Sequence, residues 1–287
     1  LTEPGSIALA YAEGIFEAGG ELVGTLKEGR RRTHTLRVGE GATLARLQMS
    51  GFSILTSVAG GGAALRVVVS PTLPTCTNQS TTIMDIEVRG LDPTADYWNS
   101  GIEIYDEWNS SVKGCVVKGL DDATEPFDAG YGISFFRCND CRATENYIYH
   151  VQHGFYQFTE VPSYGDGVFV SDNRIVGVGY GIINNSIVAT AHVGYSNNHV
   201  NAYKAGIVLS NVCYTPVSGN LIFKTHLSTQ ADWAGIQVTG TANNNAVFGN
   251  NISQPGVPAG VLTSFGVFTN EARNTISHNH FTNTLGT

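Results

Sequence analysis

Charge, methionine and long apolar runs are what this sequence has least of. Of its 287 residues 14% are charged, with 16 Lys and Arg against 24 Asp and Glu, and only two are Met. A net charge of −8 argues against nucleic acid or an anionic membrane as a partner. No run of 18 apolar residues occurs, so no membrane insertion is expected. Helical periodicity is just as scarce. Residues 5–18 alone put apolar side chains on one helix face, with Ile7, Tyr11, Ile15 and Phe16 in line before Gly19-Gly20.

Cysteine is sparse as well. The five, at 76, 115, 138, 141 and 213, are odd in number and lack framework spacing. Cys138-Asn-Asp-Cys141 has the CxxC form without further ligands for zinc, so no metal or other cofactor is expected. Free, buried thiols suit assembly in a reducing compartment. The run Arg30-Arg31-Arg32 reads as a solvated face. No signal peptide is in view. The start at Leu1 and the stop at Thr287, just after a strand, lead to the expectation that targeting and assembly segments lie outside this sequence.

What the chain does have is 34 glycines and a repeat. Gly101-Ile-Glu-Ile returns from Gly132, Gly154, Gly181, Gly206, Gly235 and Gly266, at steps of 31, 22, 27, 25, 29 and 31 residues. A second anchor runs between them, at Asn146, Asn173, Asn198, Asn220, Asn251 and Asn279, with Asp85 standing for it upstream. Each unit holds two or three strands of about four residues with apolar-polar alternation. A strand so short cannot bury its apolar face alone. Stacked on neighbours about 4.8 Å away, it forms a parallel sheet and a continuous core. Glycine is expected at the bends for its backbone freedom. Asparagine suits a corner because it tolerates the left-handed conformation, and stacked asparagines can bond along the axis. A β-sandwich is the competing reading, but it does not predict two anchors in register over seven units.

The expectation is therefore an all-β solenoid. Residues 1–30 would supply a capping helix and first strand, and residues 31–287 one domain of coils. Strands are expected at Thr35–Val38, Leu44–Ile54, Ala64–Val69 and Ile83–Val88. In the middle coils 8 residues separate the asparagine anchor from the next glycine; in the flanking coils 15 to 18 do. These longer excursions would wall a groove, with Trp98 and the stretch Glu125 to Asp128 upstream and Asp232-Trp233 downstream.

The repeated Gly-Ile-x-Val and Asn-x-Ile anchors, behind an alanine-rich helix and Gly-Gly, resemble the right-handed parallel β-helix of the pectate-lyase-like superfamily. Within it the chain is most similar to bacteriophage tailspikes. That resemblance covers residue 5 to the end and implies a homotrimer, assembled in the bacterial cytoplasm and carried on the virion tail. It also implies a spike that binds and cleaves bacterial surface polysaccharide, O-antigen or capsule. Two features of such spikes are missing: an Asp-Asp before the first helix and a C-terminal trimerisation segment.

Glycoside hydrolysis needs a protonated and an ionised carboxylate, about 5 Å apart for retention and roughly 6.5 to 9.5 Å for inversion. Counting from the anchor glycines, Asp106 and Arg137 fall at one position on adjacent coils, as an ion pair would. Glu107 and Glu160 share the next position two coils apart, about 9.6 Å. The acid and base are sought among Glu103, Asp106, Glu107, Asp128 and Glu160. Sugar rings would stack on or be held by Trp98, Tyr105, Arg137, Tyr156 and Trp233. His150 and His153 read as polar corner residues. A polysaccharide lyase would need instead a Tyr, His, Lys or Arg base with neutralisation of a uronate. A non-catalytic adhesin is the third reading. Outward Ile183, Val208 and Phe268 could form a subunit interface.

Overall fold

The computed structural model describes residues 35–36, 46–68, 80–121, 125–162, 164–225, 227–228, 233–255 and 265–284. The helix expected at 5–18, the boundary at residue 30, Cys76 and Asp232 lie outside them. Every strand pairing is parallel, and no helix occurs among the described residues. The chain winds as a three-sided, right-handed parallel β-helix, the hand that parallel crossovers take.

Two faces carry the anchors that the sequence announces. The glycine face stacks Ala63–Val68, Ser100–Tyr105, Tyr131–Phe136, His153–Phe158, the later parts of Arg174–Ala191 and His199–Cys213, then Ala234–Thr239 and Phe265–Thr269. The asparagine face stacks Glu87–Gly90, Val116–Lys118, Tyr147–Tyr149, the earlier parts of the two long strands, Leu221–Lys224 and Asn251–Pro255. A third face of nine short strands closes the prism. Where 8 residues join the anchors there is no room for a loop. After Asn173 and Asn198 the strand bends round the corner, which makes 174–191 and 199–213 continuous, whereas after Asn146 the left-handed His150 (φ 56°) separates Tyr147–Tyr149 from His153–Phe158. Where the sequence reading joins 44–54 and 83–88, the strands break at Gly51 (φ 76°) and Asp85 (φ 52°).

Inward columns such as Ile102, Ile133, Phe155, Ile182, Ile207 and Ile236 repeat a core residue at each level. Six buried or half-buried asparagines run parallel to this column. The Asn146 amide donates to Asn173 Oδ1 at 2.9 Å, and the pattern repeats through Asn198, Asn220, Asn250 and Asn279. The fifth rung is thus Asn250, not Asn251, whose side chain faces out. Asp85 is no rung either. It occupies the left-handed position that Glu145, Asp172 and Asn197 fill just before the rungs of later coils. So the left-handed corner belongs to the residue before the asparagine, while the asparagine itself bonds along the axis.

The anchor glycines also serve a different purpose from the one expected. None from Gly101 to Gly266 has a positive φ. A Cβ on Gly181 would overlap the carbonyl oxygen of Gly206 and a Val200 methyl, and Gly154 would meet Gly181 and Ile175 in the same way. The glycine face approaches the asparagine face too closely for any side chain. Gly181→Ala should therefore lower unfolding stability by about 2 kcal/mol, the usual scale of overpacking. Gly51→Ala, at an exposed corner with φ 76° and nothing within 4 Å of the added Cβ, makes a comparison in which backbone strain acts instead. Urea unfolding midpoints measure both.

Candidate functional site

Alternation on the glycine face turns every second side chain outward. One outward column begins each strand, just before the glycine: Tyr131, His153 and Tyr180. The next holds Arg66, Glu103, Ser134, Tyr156 and Ile183, and the last Tyr105, Phe136 and Phe158. The rings make one sheet of contacts. Tyr105 stacks on Phe136 at 4.4 Å, Phe136 meets Tyr156 at 5.9 Å, and Tyr156 meets Tyr131 at 5.0 Å. Along the axis Tyr131, His153 and Tyr180 stack face to face at 5.0 and 5.4 Å, with interplanar angles of 19° and 9°. Such half-buried rings offer the flat apolar surface that sugars stack on.

Charge borders this surface in pairs. Arg66 Nε lies 2.5 Å from Glu103 Oε2, with its guanidinium 5.6 Å from the Tyr105 ring centroid. At the corner past Phe136, Arg137 holds both Asp106 oxygens at 2.6 and 2.9 Å and Glu160 at 2.9 Å. The expected Asp106–Arg137 ion pair is therefore present, and it captures Glu160 too. Beyond Tyr180, Lys204 Nζ sits 5.5 Å from that ring and 2.5 Å from Glu125.

Burial moves several protons. The Tyr105 hydroxyl is pushed up to about 12, first by desolvation and then by the charge of Glu103. Tyr131 is raised by desolvation, then by Tyr156 and Glu103. His153 is held below the ordinary imidazole value by desolvation and, further, by Lys204. Its Nδ1 lies 3.3 Å from the Gly130 carbonyl. A carbonyl only accepts, so the proton sits on Nδ1 and Nε2 keeps its lone pair.

Several residues singled out from sequence are elsewhere. Glu107 is buried within the coil, where the Thr81 hydroxyl donates to it at 2.9 Å and Ser110 donates to its other oxygen. Desolvation raises its pKa. The left-handed Asp106 (φ 58°) reverses the alternation, so Glu107 points in while Glu160 points out to Arg137; the two do not face one substrate. Trp98 and Trp233 are core residues, 7% and 1% exposed, and Trp98 covers Gly61. They form no groove wall. Asp128 is exposed, and beside it Phe127 packs on Tyr203 at 5.4 Å. The described parts of the excursions fold onto the coils. His150 is a corner residue (φ 56°) whose Nδ1 bonds the Leu120 carbonyl, but His153 belongs to the ring surface. Sequence reasoning missed Arg66, Tyr131, Tyr180 and Lys204, and had Glu125 only as part of a groove wall. A ring before three successive anchor glycines was the legible signal.

The NosD family, described as periplasmic copper-binding protein, matches residues 81–286. This chain belongs to that family. No curated protein matches the sequence. Solved structures similar to this NosD-family chain include an alginate lyase from Paenibacillus sp. str. FPU-7, at 14% identity and TM-score 0.58, over 80% of this chain and 75% of that one. DFA-IIIase from Arthrobacter chlorophenolicus A6 without its lid follows at 15% and 0.51, over 81% and 62%. A tailspike mutant of E. coli bacteriophage HK620 is similar at 12% and 0.40, over 88% and 60%. At these identities the likenesses concern the fold alone, and the last is too distant to argue from.

The copper in the family's description can be tested against the donors here. Among the described residues no three His, Cys, Asp or Glu side chains converge on a metal position. The buried Cys138 thiol is pushed well up by desolvation and by Cys141 beside it, which opposes the thiolate a metal needs. These residues do not fit a copper centre.

Proposed function

We propose that this NosD-family β-helix binds a bacterial surface polysaccharide along the outer glycine face and depolymerises it, as the body of a phage tailspike. The observation that carries the reading is the continuous ring surface Tyr105, Phe136, Tyr156, Tyr131, His153 and Tyr180, bordered by fixed charges. It spans four successive coils, about 14 Å along the axis, room for several sugars. Four free cysteines among the described residues support assembly in the bacterial cytoplasm. The homotrimer, the virion and the choice of O-antigen or capsule belong to this proposal.

For the chemistry, two carboxylates were the first expectation, as in an endo-acting glycoside hydrolase. Glu103, Asp106 and Glu160 are each taken up in an ion pair with an arginine, so none stands free to face a glycosidic oxygen. Glu107, whose pKa is raised, is turned into the coil. Elimination has better support. His153 Nε2 would take the proton beside the sugar carboxylate, the bond to the next sugar oxygen would break, and the new double bond would stay on the sugar. The Tyr131 hydroxyl, kept protonated, would protonate the leaving oxygen.

Purified O-antigens and capsules incubated with the protein, and followed by gel, are expected to shorten on one acidic glycan. The new ends should carry an unsaturated sugar seen in the ultraviolet. Shortening with saturated reducing ends would return the reaction to hydrolysis. Binding without shortening would leave an adhesin.

A further inference from the structure

The glycine-face surface ends in an ion pair that belongs to no strand ladder. Lys204 precedes Ala205, the residue that continues the column Tyr131, His153, Tyr180 into the next coil. Its ammonium therefore forms the fourth member of that row. Two contacts fix it: the Tyr180 ring at 5.5 Å and the Glu125 carboxylate at 2.5 Å. Glu125 comes from a distant coil, on the excursion between Val116–Lys118 and Tyr131–Phe136. The excursion has its own anchors. Phe127 packs on Tyr203 at 5.4 Å and on His150 at 6.3 Å, and its backbone N–H donates to Gln152 Oε1 at 3.0 Å. So Glu125 is not needed to hold its own segment down, and Lys204 is already oriented by a ring.

We propose that Lys204 is the residue that selects an acidic sugar, and that Glu125 occupies in the free protein the position taken by the substrate carboxylate. The inference rests on the glycan reading above and adds the residue pair that reads the sugar carboxylate of a uronic acid or another acidic sugar. Lys204 is the cation suited to the exchange. Arg66 is held by Glu103 on the adjacent strand, and Arg137 is shared by two carboxylates. Exchanging one carboxylate for another on Lys204 leaves the ammonium's charge compensated, so binding need not bury a bare charge. Sugar rings would stack on Tyr180 and His153, placing the carboxylate-bearing carbon next to the imidazole.

The two members of the pair then have opposite effects on binding, which a merely structural ion pair cannot produce. The probe is a 1,4-linked oligouronate, with its carboxyl-reduced neutral form as control, titrated calorimetrically at low and high salt. Lys204→Gln should weaken oligouronate binding about tenfold or more, the scale of a lost charge-assisted hydrogen bond. Glu125→Gln removes the internal competitor and should tighten binding about two- to fivefold. The neutral control should bind weakly and respond to neither change. Salt should weaken oligouronate binding to the wild type and to Glu125→Gln. Equal losses in both variants would overturn the proposal in favour of a structural pair, and so would no change in either. Matching melting curves for the variants exclude misfolding. If neutral glycans are bound and cut while oligouronates are not, the acidic-sugar inference falls and the depolymerase reading stands. If no glycan binds, the depolymerase reading falls as well.

Discussion

His153→Asn is expected to slow glycan cleavage by about two to four orders of magnitude, the contribution of a positioned general base. The substitution is chosen for what it keeps. An Asn amide can still donate to the Gly130 carbonyl that His153 Nδ1 now contacts, but it offers no basic nitrogen. Binding to the ring surface should change far less than turnover, since Tyr131, Tyr156 and Tyr180 remain. A fall in affinity that matches the fall in rate would mean His153 is only part of the stacking surface. pH supplies an independent readout. Desolvation and Lys204 favour the neutral imidazole, so the base stays active below the ordinary histidine pKa of about 6.5 and cleavage fails only in more acidic solution. Removing the charge in Lys204→Gln should move that acid limb upward. Stability follows the same sign: the folded pKa lies below the unfolded one, so the neutral-form preference contributes fully above about 6.5 and is lost as pH falls towards the folded value.

Asn198→Ala is expected to cost about 4 kcal/mol of unfolding free energy, a large share of the 5 to 15 kcal/mol typical of a domain. Asn198 Oδ1 accepts from the Asn173 backbone at 3.1 Å and from the Asn173 amide at 2.9 Å. Its own amide donates to the Val170 carbonyl at 2.9 Å and to Asn220 at 3.0 Å. Truncation leaves two buried donors on Asn173 without an acceptor and deprives Val170 of a donor. Each orphan costs roughly 1 to 3 kcal/mol. Asn201→Ala is the control, because Asn201 is half-exposed outside the ladder and should shift stability by no more than about 0.5 kcal/mol. Equal urea midpoints for the two variants would show that the ladder carries no special weight.

Much of this was legible in the sequence. A strand of four residues must borrow its core from neighbours, so periodic glycines and asparagines with short apolar runs leave few folds other than a stack. The ion pair of Asp106 with Arg137 followed from counting residues out from an anchor. That count failed one residue later, because a single left-handed residue at a corner turns the next side chain from outside to inside. Glu107 was lost from the surface that way. Trp98 and Trp233 were misjudged for another reason: loop length says nothing about whether an excursion stands up or folds back, and two large apolar rings favour folding back. Even the glycines kept their positions and changed their reason, from backbone freedom to the close approach of two faces.

The periodicity alone determined that this chain coils, which residues stack in columns, and where the core lies, because burial at each level demands the same residue class in register. The tertiary structure alone decided which charges meet where an excursion folds back onto a distant coil. Lys204 and Glu125, 79 positions apart in sequence, meet in that way. Coils of unequal length bring such residues together at a corner, and that geometry depends on how each excursion packs rather than on any repeat.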